Sequence, residues 1–179
     1  MMSVDELAAL VRTIPDFPKP GIQFRDVTTL LADRRGFADL IGRMARIAAP
    51  LDPEYVIGIE ARGFILGAAL AHVLGAGFVP VRKAGKLPGR TVGMDYILEY
   101  GTDRLELHEG QVPAGARVIL IDDLIATGGT ALAAAQLLRE QGASVLMALF
   151  AVDLPDLGGM AALEADGIAT SAILAFPGH

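Results

Sequence analysis

The chain has 179 residues, 53% of them hydrophobic, and a formal net charge of −6 at neutral pH. That length fits one domain with a sizeable core, and the acidic balance excludes a broadly basic surface, so no nucleic-acid partner is expected. With no cysteine present, disulfides, thiolate chemistry and cysteine-held zinc are excluded, which agrees with a reducing cytoplasm.

In chain order, Ser3-Val4-Asp5-Glu6 has the capping-box form, in which a hydroxyl and a carboxylate each satisfy the other's amide. A peripheral helix is therefore predicted to run to about Arg12. The proline-rich stretch after it cannot continue a helix and delivers residues 22–24 as a short extended segment. Over residues 35–49, Phe37, Leu40, Ile41, Met44 and Ile47 recur on one helical face, and Pro50 and Pro53 end the run.

Strands and helices then alternate: strand 55–59, helix 64–74, strand 78–82, strand 118–121, helix 130–141 and strand 145–152. This pattern predicts an α/β fold with a central parallel sheet flanked by helices. Residues 63–81 form a run of 19 without formal charge, long enough by count for a membrane span. Gly63, Gly67, His72, Gly75, Gly77 and Pro80 interrupt it, and a turn at 75–77 splits it into helix and strand, so no membrane is expected. The first residues lack the basic, apolar and small-residue order of an export signal, and a cytoplasmic location is expected.

Glu60-Ala61-Arg62-Gly63 falls between a predicted strand and helix, where backbone amides and the Arg62 guanidinium can face an anion. Taken alone, an arginine after a strand is more often an ordinary surface residue. Arg82, Lys83, Lys86 and Arg90 place four cations in nine residues, with Gly85, Pro88 and Gly89 between them. A solvated basic loop would look the same, but clustering in an acidic chain favours a mobile flap over charged phosphates. The alternation breaks over residues 83–109 into this loop and a hairpin, 94–99 against 104–108 across Gly101-Thr102-Asp103, which reads as a flexible lid. His72 is expected in the core, and neither it nor His108 has partners at metal-ligand spacing.

The most specific stretch is Val118-Ile119-Leu120-Ile121-Asp122-Asp123-Leu124-Ile125-Ala126-Thr127-Gly128-Gly129-Thr130. Its apolar run without alternation suits a strand covered on both faces, and such sheets bind ligands beyond their strand ends. Ala126, Thr127, Gly128, Gly129 and Thr130 can wrap a monophosphate with backbone amides and two hydroxyls at a helix N-terminus. Asp122 and Asp123, when ionised, only accept hydrogen bonds, so something bearing donors, such as a sugar diol or a hydrated metal, must lie between them and the phosphate. A strand, a turn and a helix start would need fewer of these residue types. Neither a P-loop nor a dinucleotide fingerprint is present.

This segment resembles the phosphoribosyl diphosphate signature of type I phosphoribosyltransferases. Four further blocks make the chain similar to the adenine phosphoribosyltransferase family: Ile14-Pro15-Asp16-Phe17-Pro18-Lys19-Pro20-Gly21-Ile22-Gln23-Phe24-Arg25-Asp26, Glu60-Ala61-Arg62-Gly63-Phe64, Arg82-Lys83-Ala84-Gly85-Lys86-Leu87-Pro88-Gly89 and Leu98-Glu99-Tyr100-Gly101. The resemblance implies a single domain with a small N-terminal hood over about 1–34 and a lid over about 83–109. It implies conversion of adenine and 5-phosphoribosyl 1-diphosphate to AMP and diphosphate.

It also implies residue roles. Asp122 and Asp123 hold the ribose, and Ala126, Thr127, Gly128, Gly129 and Thr130 hold the 5′-phosphate. Glu60, Ala61 and Arg62, with Arg82, Lys83 and Lys86, meet the diphosphate, and the Glu60–Ala61 peptide is cis. Adenine lies between Phe24 and Leu124, with main-chain groups near Gln23 at the exocyclic amine and Arg25 near the opposite ring edge. Glu99 serves the purine nitrogen as a catalytic group beside Arg62, and Tyr100 helps close the lid. Mg2+ is held mainly by substrate and water, with no direct protein ligand, and the implied assembly is a homodimer with Arg82 or Lys83 reaching the neighbouring site. Similar enzymes carry proline or arginine at Ala84 and a small aliphatic residue at Gln23.

Two other readings are weighed. A transferase for xanthine or guanine is opposed by the Phe24-Arg25 and Leu98-Glu99-Tyr100 blocks. A non-catalytic regulator that binds DNA would need a helix-turn-helix or a basic stripe, which this sequence does not offer.

Overall fold

The computed structural model describes residues 1–98 and 101–178, so Glu99, Tyr100 and His179 lie outside the described residues. Ser3 and Glu6 form the expected capping box, with Glu6 N–H donating to Ser3 Oγ at 3.1 Å and Ser3 N–H to the Glu6 carboxylate at 2.7 Å. The helix they start, α1 (Val4–Ala8), is shorter than predicted. Arg12 is taken instead into β1 (Arg12–Pro15), which pairs antiparallel with β2 (Gln23–Asp26). Buried Asp26 ties this ribbon to the helix that starts at Thr28, accepting from Thr28 Oγ1 at 2.6 Å, Thr28 N–H at 3.0 Å and Arg12 Nε at 3.1 Å. The Thr28 hydroxyl, the Arg12 guanidinium and the Thr28 amide together hold the Asp26 carboxyl down at about 2.

Two helices come next, α2 (Thr28–Ala32) and α3 (Arg34–Ala48). Asp33 caps the second, accepting from the amides of Arg35 and Gly36 at 2.9 and 2.7 Å. As predicted, α3 turns Leu40, Ile41 and Met44 inward.

The rest of the chain builds one sheet and its covering helices. In order they are β3 (Tyr55–Ile59), α4 (Arg62–Leu74), β4 (Gly77–Lys83), β5 (Thr91–Leu98), β6 (Gly101–His108), β7 (Arg117–Ile125), α5 (Gly129–Glu140), β8 (Ser144–Asp153), α6 (Gly159–Ala165) and β9 (Thr170–Ala175). The strand order is β5-β6-β4-β3-β7-β8-β9. Alternate residues of each central strand enter opposite cores. Ile57, Val118 and Leu120 pack with α5 and α6, whereas Val56, Ile119 and Ile121 pack with α3 and α4.

The sheet is mixed rather than wholly parallel. Five strands from β4 to β9 run parallel, but β6 joins the edge of β4 antiparallel, with Arg82 opposite Glu106 and Lys83 opposite Leu105. The predicted hairpin is thus an extension of the sheet, and buried Leu105 and Leu107 anchor it in the core. Its register also differs from prediction, since Gly101, Thr102 and Asp103 are paired strand residues opposite Leu98, Ile97 and Tyr96. The periodicity did not single out α6 or β9. His72 is exposed on α4, contrary to its expected place in the core.

Candidate active site

β3 has β4 on one side and β7 on the other, so the loops after β3 and β7 leave the sheet side by side. In α/β sheets such a switch point opens a crevice beyond the carboxyl ends of the strands. Gly63, in the first turn of α4, permits the close approach of that helix to β7. A Cβ there would stand 2.7 Å from the Ile121 carbonyl oxygen and 3.1 Å from Asp122 Oδ1.

Asp122 and Asp123 belong to β7, not to the loop beyond it, and successive strand residues face opposite sides. Asp123 is 5% exposed and its carboxylate is ion-paired with Arg62 Nε. Asp122 Oδ1 accepts from Asp123 N–H at 2.8 Å. Burial, reinforced by the charge of Asp123, pushes the Asp122 carboxyl well above the usual range.

Beyond the acids, Ala126, Thr127, Gly128, Gly129 and Thr130 curl around a recess of about 140 Å3. Gly128 takes φ +86° as the residue before α5, and a Cβ there would lie 2.8 Å from the Gly159 carbonyl oxygen. A side chain is therefore barred both by conformation and by contact. The opening amides of α5 have no intrahelical acceptors and carry the positive end of the helix dipole, so the recess suits an anion.

The recess shares its wall with a larger cavity of about 640 Å3. Gln23, Phe24 and Arg25 from β2 line one side, and Leu124, Ala126, Thr127, Gly129 and Thr130 line the other, with Arg62 also in the wall. Phe24 is held edge-on by Phe17, their ring centroids 5.3 Å apart. Ile22, Ile97, Leu154 and Leu157 complete the lining. Sequence reasoning missed these four as site residues, because an apolar residue facing a cavity has the same pattern as one facing the core.

The loop after β3 is shorter than predicted. The Glu60–Ala61 peptide is cis, as the resemblance implied. Arg62 is the first residue of α4 rather than a loop residue. Glu60 turns its carboxylate toward the basic segment, accepting from Arg82 Nη2 at 2.7 Å and Lys83 N–H at 3.0 Å. The Arg82 guanidinium holds the Glu60 carboxyl below its ordinary range. Arg82 Nη1 also donates to the Lys86 carbonyl at 3.2 Å, while the Lys86 side chain is exposed. Lys83 Nζ pairs with Asp103 at 2.7 Å, and Asp103 accepts from the Tyr96 hydroxyl at 3.1 Å. Burial raises the Tyr96 phenol. Of the predicted contact residues, Gln23, Phe24, Arg25, Arg62, Asp122, Leu124 and residues 126–130 line the two adjoining cavities, and Asp123 reaches them through its ion pair with Arg62. Glu60, Ala61, Arg82, Lys83 and Lys86 line neither, and Glu99 and Tyr100 fall outside the described residues.

Comparison with known proteins agrees with this geometry. A family model described as phosphoribosyl transferase domain matches residues 28–156. The adenine phosphoribosyltransferase of Sphingopyxis alaskensis is 61% identical over 97% of this chain and 94% of its own length. The crystal structure of adenine phosphoribosyltransferase from Rhodothermus marinus superimposes with a TM-score of 0.91 at 43% identity, covering 97% of this chain and 98% of that one. The Saccharomyces cerevisiae enzyme, solved with D-2,5-dideoxy-2,5-imino-altritol 1,6-bisphosphate and adenine, gives 0.90 at 38% identity, covering 96% and 98%. On this identity, coverage and shared fold, the chain belongs to the phosphoribosyltransferase family, within its adenine phosphoribosyltransferase group.

Proposed function

We propose that the chain joins adenine to 5-phosphoribosyl 1-diphosphate, forming AMP and releasing diphosphate in purine salvage. One observation carries this reading: an apolar cavity walled by Phe24 and Leu124 opens onto the free amides at the head of α5. A planar base and a phosphate, linked by a ribose, fit that pairing of surfaces. The yeast relative, whose structure holds adenine, supports the choice of base.

In this reading Ala126, Thr127, Gly128, Gly129 and Thr130 grip the 5′-phosphate, and Asp122 and Asp123 accept hydrogen bonds from the ribose hydroxyls. The remote grip positions C1′ against the attacking purine nitrogen. As the C1′–O bond breaks, positive charge grows on the sugar and negative charge on the diphosphate. Arg62, Arg82, Lys83 and Lys86, around the Glu60–Ala61 loop, stabilise the latter. Main-chain groups near Gln23 meet the 6-amino group, and Arg25 meets the opposite ring edge. A 6-oxo purine would bring an acceptor against an acceptor and be rejected. Glu99 takes up, or hydrogen-bonds, the proton of the purine nitrogen. Tyr100 closes the site from the lid at 83–109, opposite the hood at 1–34.

Among the described residues no three acidic or histidine side chains converge as metal ligands. Asp122 and Asp123 nevertheless offer the hard oxygens that suit hydrated Mg2+ carried on the substrate's own oxygens. When bound there, Mg2+ neutralises charge on the diphosphate.

A homodimer and a cytoplasmic location complete the reading. The outer surface of α4 exposes Ile65 and Val73, at 48% and 57%, beside a groove of about 380 Å3 that Phe37 and Ile41 of α3 line. Such an apolar face suits a second copy of the chain, and sedimentation equilibrium checks it. Among the described residues no helix is long and apolar enough to cross a membrane. The function itself is tested by incubation with Mg2+, phosphoribosyl diphosphate and each purine base in turn, with chromatography of the products. AMP from adenine, without nucleotide from guanine or xanthine, is the expected outcome, and the reverse pattern would reassign the base.

A further inference from the structure

The last described residues fold back onto the edge of β2 that walls the base-sized cavity. After β9, Phe176 N–H donates to the Asp153 carbonyl at 3.0 Å, and Gly178 N–H donates to the Asp156 carboxylate at 2.7 Å. These two bonds pin the segment on either side of Pro177. The group it meets is Arg25, 152 residues away in sequence. Arg25 Nη2 donates to the Pro177 carbonyl at 3.1 Å, and its guanidinium carbon stands 4.8 Å from the centroid of the Phe176 ring. On the other side Arg25 Nη1 donates to Thr13 Oγ1 at 2.6 Å.

Each terminal nitrogen of the Arg25 fork thereby spends one of its two N–H groups on protein and keeps the other. Its Nε is buried and has no hydrogen-bond partner among the described residues. Arg25 lines the cavity, whereas Phe176 and Pro177 do not. A long side chain with several rotatable bonds presents one donor reliably only when its plane and both ends are fixed. Here an aromatic face sets the plane and two acceptors set the ends.

We propose that Phe176 and the Pro177 carbonyl are positioning residues for the base: they hold the Arg25 guanidinium in one orientation in the cavity wall, so that the N–H groups its terminal nitrogens do not spend on Thr13 and Pro177 serve a ring nitrogen of the purine. This inference rests on the reading that adenine fills the cavity beside Phe24. It makes the segment after β9 part of base recognition, although it touches neither the base nor the sugar.

Steady-state kinetics of the full chain test it. Phe176→Ala should raise the KM for adenine on the order of threefold to tenfold, the range expected for a partly desolvated cation–π contact, with the KM for phosphoribosyl diphosphate and the thermal midpoint little changed. Phe176→Tyr, which keeps the ring, should restore adenine binding, whereas Phe176→Leu, which keeps the bulk and the fold, should not. In an Arg25→Ala background, Phe176→Ala should add no further penalty, with adenine affinity read by calorimetry if turnover is too slow. An unchanged adenine KM in Phe176→Ala, an equal rise for both substrates, or the same penalty in both backgrounds would overturn the positioning role while AMP synthesis by the unaltered chain stands. No AMP from the unaltered chain would overturn the base reading and this inference with it.

Discussion

Arg62 and Asp123 form an ion pair between the first turn of α4 and the end of β7, joining a guanidinium 46% exposed to a carboxylate 6% exposed. Each is the other's partner, and each is proposed to serve a different part of the substrate. Binding of the sugar and diphosphate would exchange one charge-assisted contact for two, with ribose hydroxyls replacing the guanidinium at Asp123 and phosphoryl oxygens replacing the carboxylate at Arg62. Asp123→Asn should then raise the KM for phosphoribosyl diphosphate by on the order of tenfold or more, the scale of a lost charged hydrogen bond, and change that for adenine far less. Initial-rate kinetics with each substrate varied in turn measure this, and equal changes in both constants would detach Asp123 from the sugar.

Gly63 is the point at which the first turn of α4 meets β7. Because a Cβ would press on the Ile121 carbonyl and on Asp122, Gly63→Ala should destabilise the fold by about 1–3 kcal/mol and lower turnover further by displacing Arg62. Gly42 in α3 has nothing within 4 Å of its Cβ position. Gly42→Ala is therefore the control, expected to raise stability by about 0.5–1 kcal/mol. Chemical denaturation of the two variants checks both directions.

Asp122 carries its charge at a cost, since burial and the neighbouring Asp123 raise its folded-state pKa above the unfolded value of 3.8. An acid whose pKa rises on folding binds its proton more tightly when folded, so the chain loses stability as pH climbs above the unfolded value. Asp122→Asn removes that loss while keeping an oxygen to accept from Asp123 N–H. The variant should melt higher than the parent at pH 7, the advantage should shrink as pH falls toward 4, and phosphoribosyl diphosphate should bind less tightly. Thermal melts across pH, paired with substrate titration, read the trade-off. A variant that melts lower at neutral pH would contradict the raised pKa.

Glu99 lies outside the described residues, and its proposed role is chemical. Glu99→Gln retains size and hydrogen bonding but cannot take a proton. Its turnover should fall on the order of a hundredfold or more, the usual worth of general base catalysis, while affinity for phosphoribosyl diphosphate is preserved. Single-turnover rates and substrate affinity in the same variant separate these effects, and unchanged turnover would remove Glu99 from the chemistry.

The stretch from Val118 to Thr130 was legible because its information is local. An apolar run, two acids and a small-residue turn lie in consecutive positions, and each reports on neighbours a few residues away. The capping box at Ser3 and the inward face of α3 were legible for the same reason. The C-terminal reach of β7 was underestimated, because aspartates depress strand propensity, yet β8 pairs with Asp122, Leu124 and Ile125 and carries the strand through them. The hairpin was recognised but not its docking on β4, because an edge pairing such as Lys83 with Leu105 leaves no periodic trace in either segment.

Taken by itself, the amino-acid sequence determined the alternation of strands and helices and the small-residue turn after β7, both of them properties of short windows of chain. Only the tertiary structure decided which charges meet: Arg62 with Asp123, Glu60 with Arg82, Lys83 with Asp103, and Arg25 with the segment after β9. Those pairings come from the order of strands in the sheet, which brings distant loops to one edge. Charge is long-ranged in space and blind to separation along the chain, so its partners are set by the fold rather than by the neighbourhood in sequence.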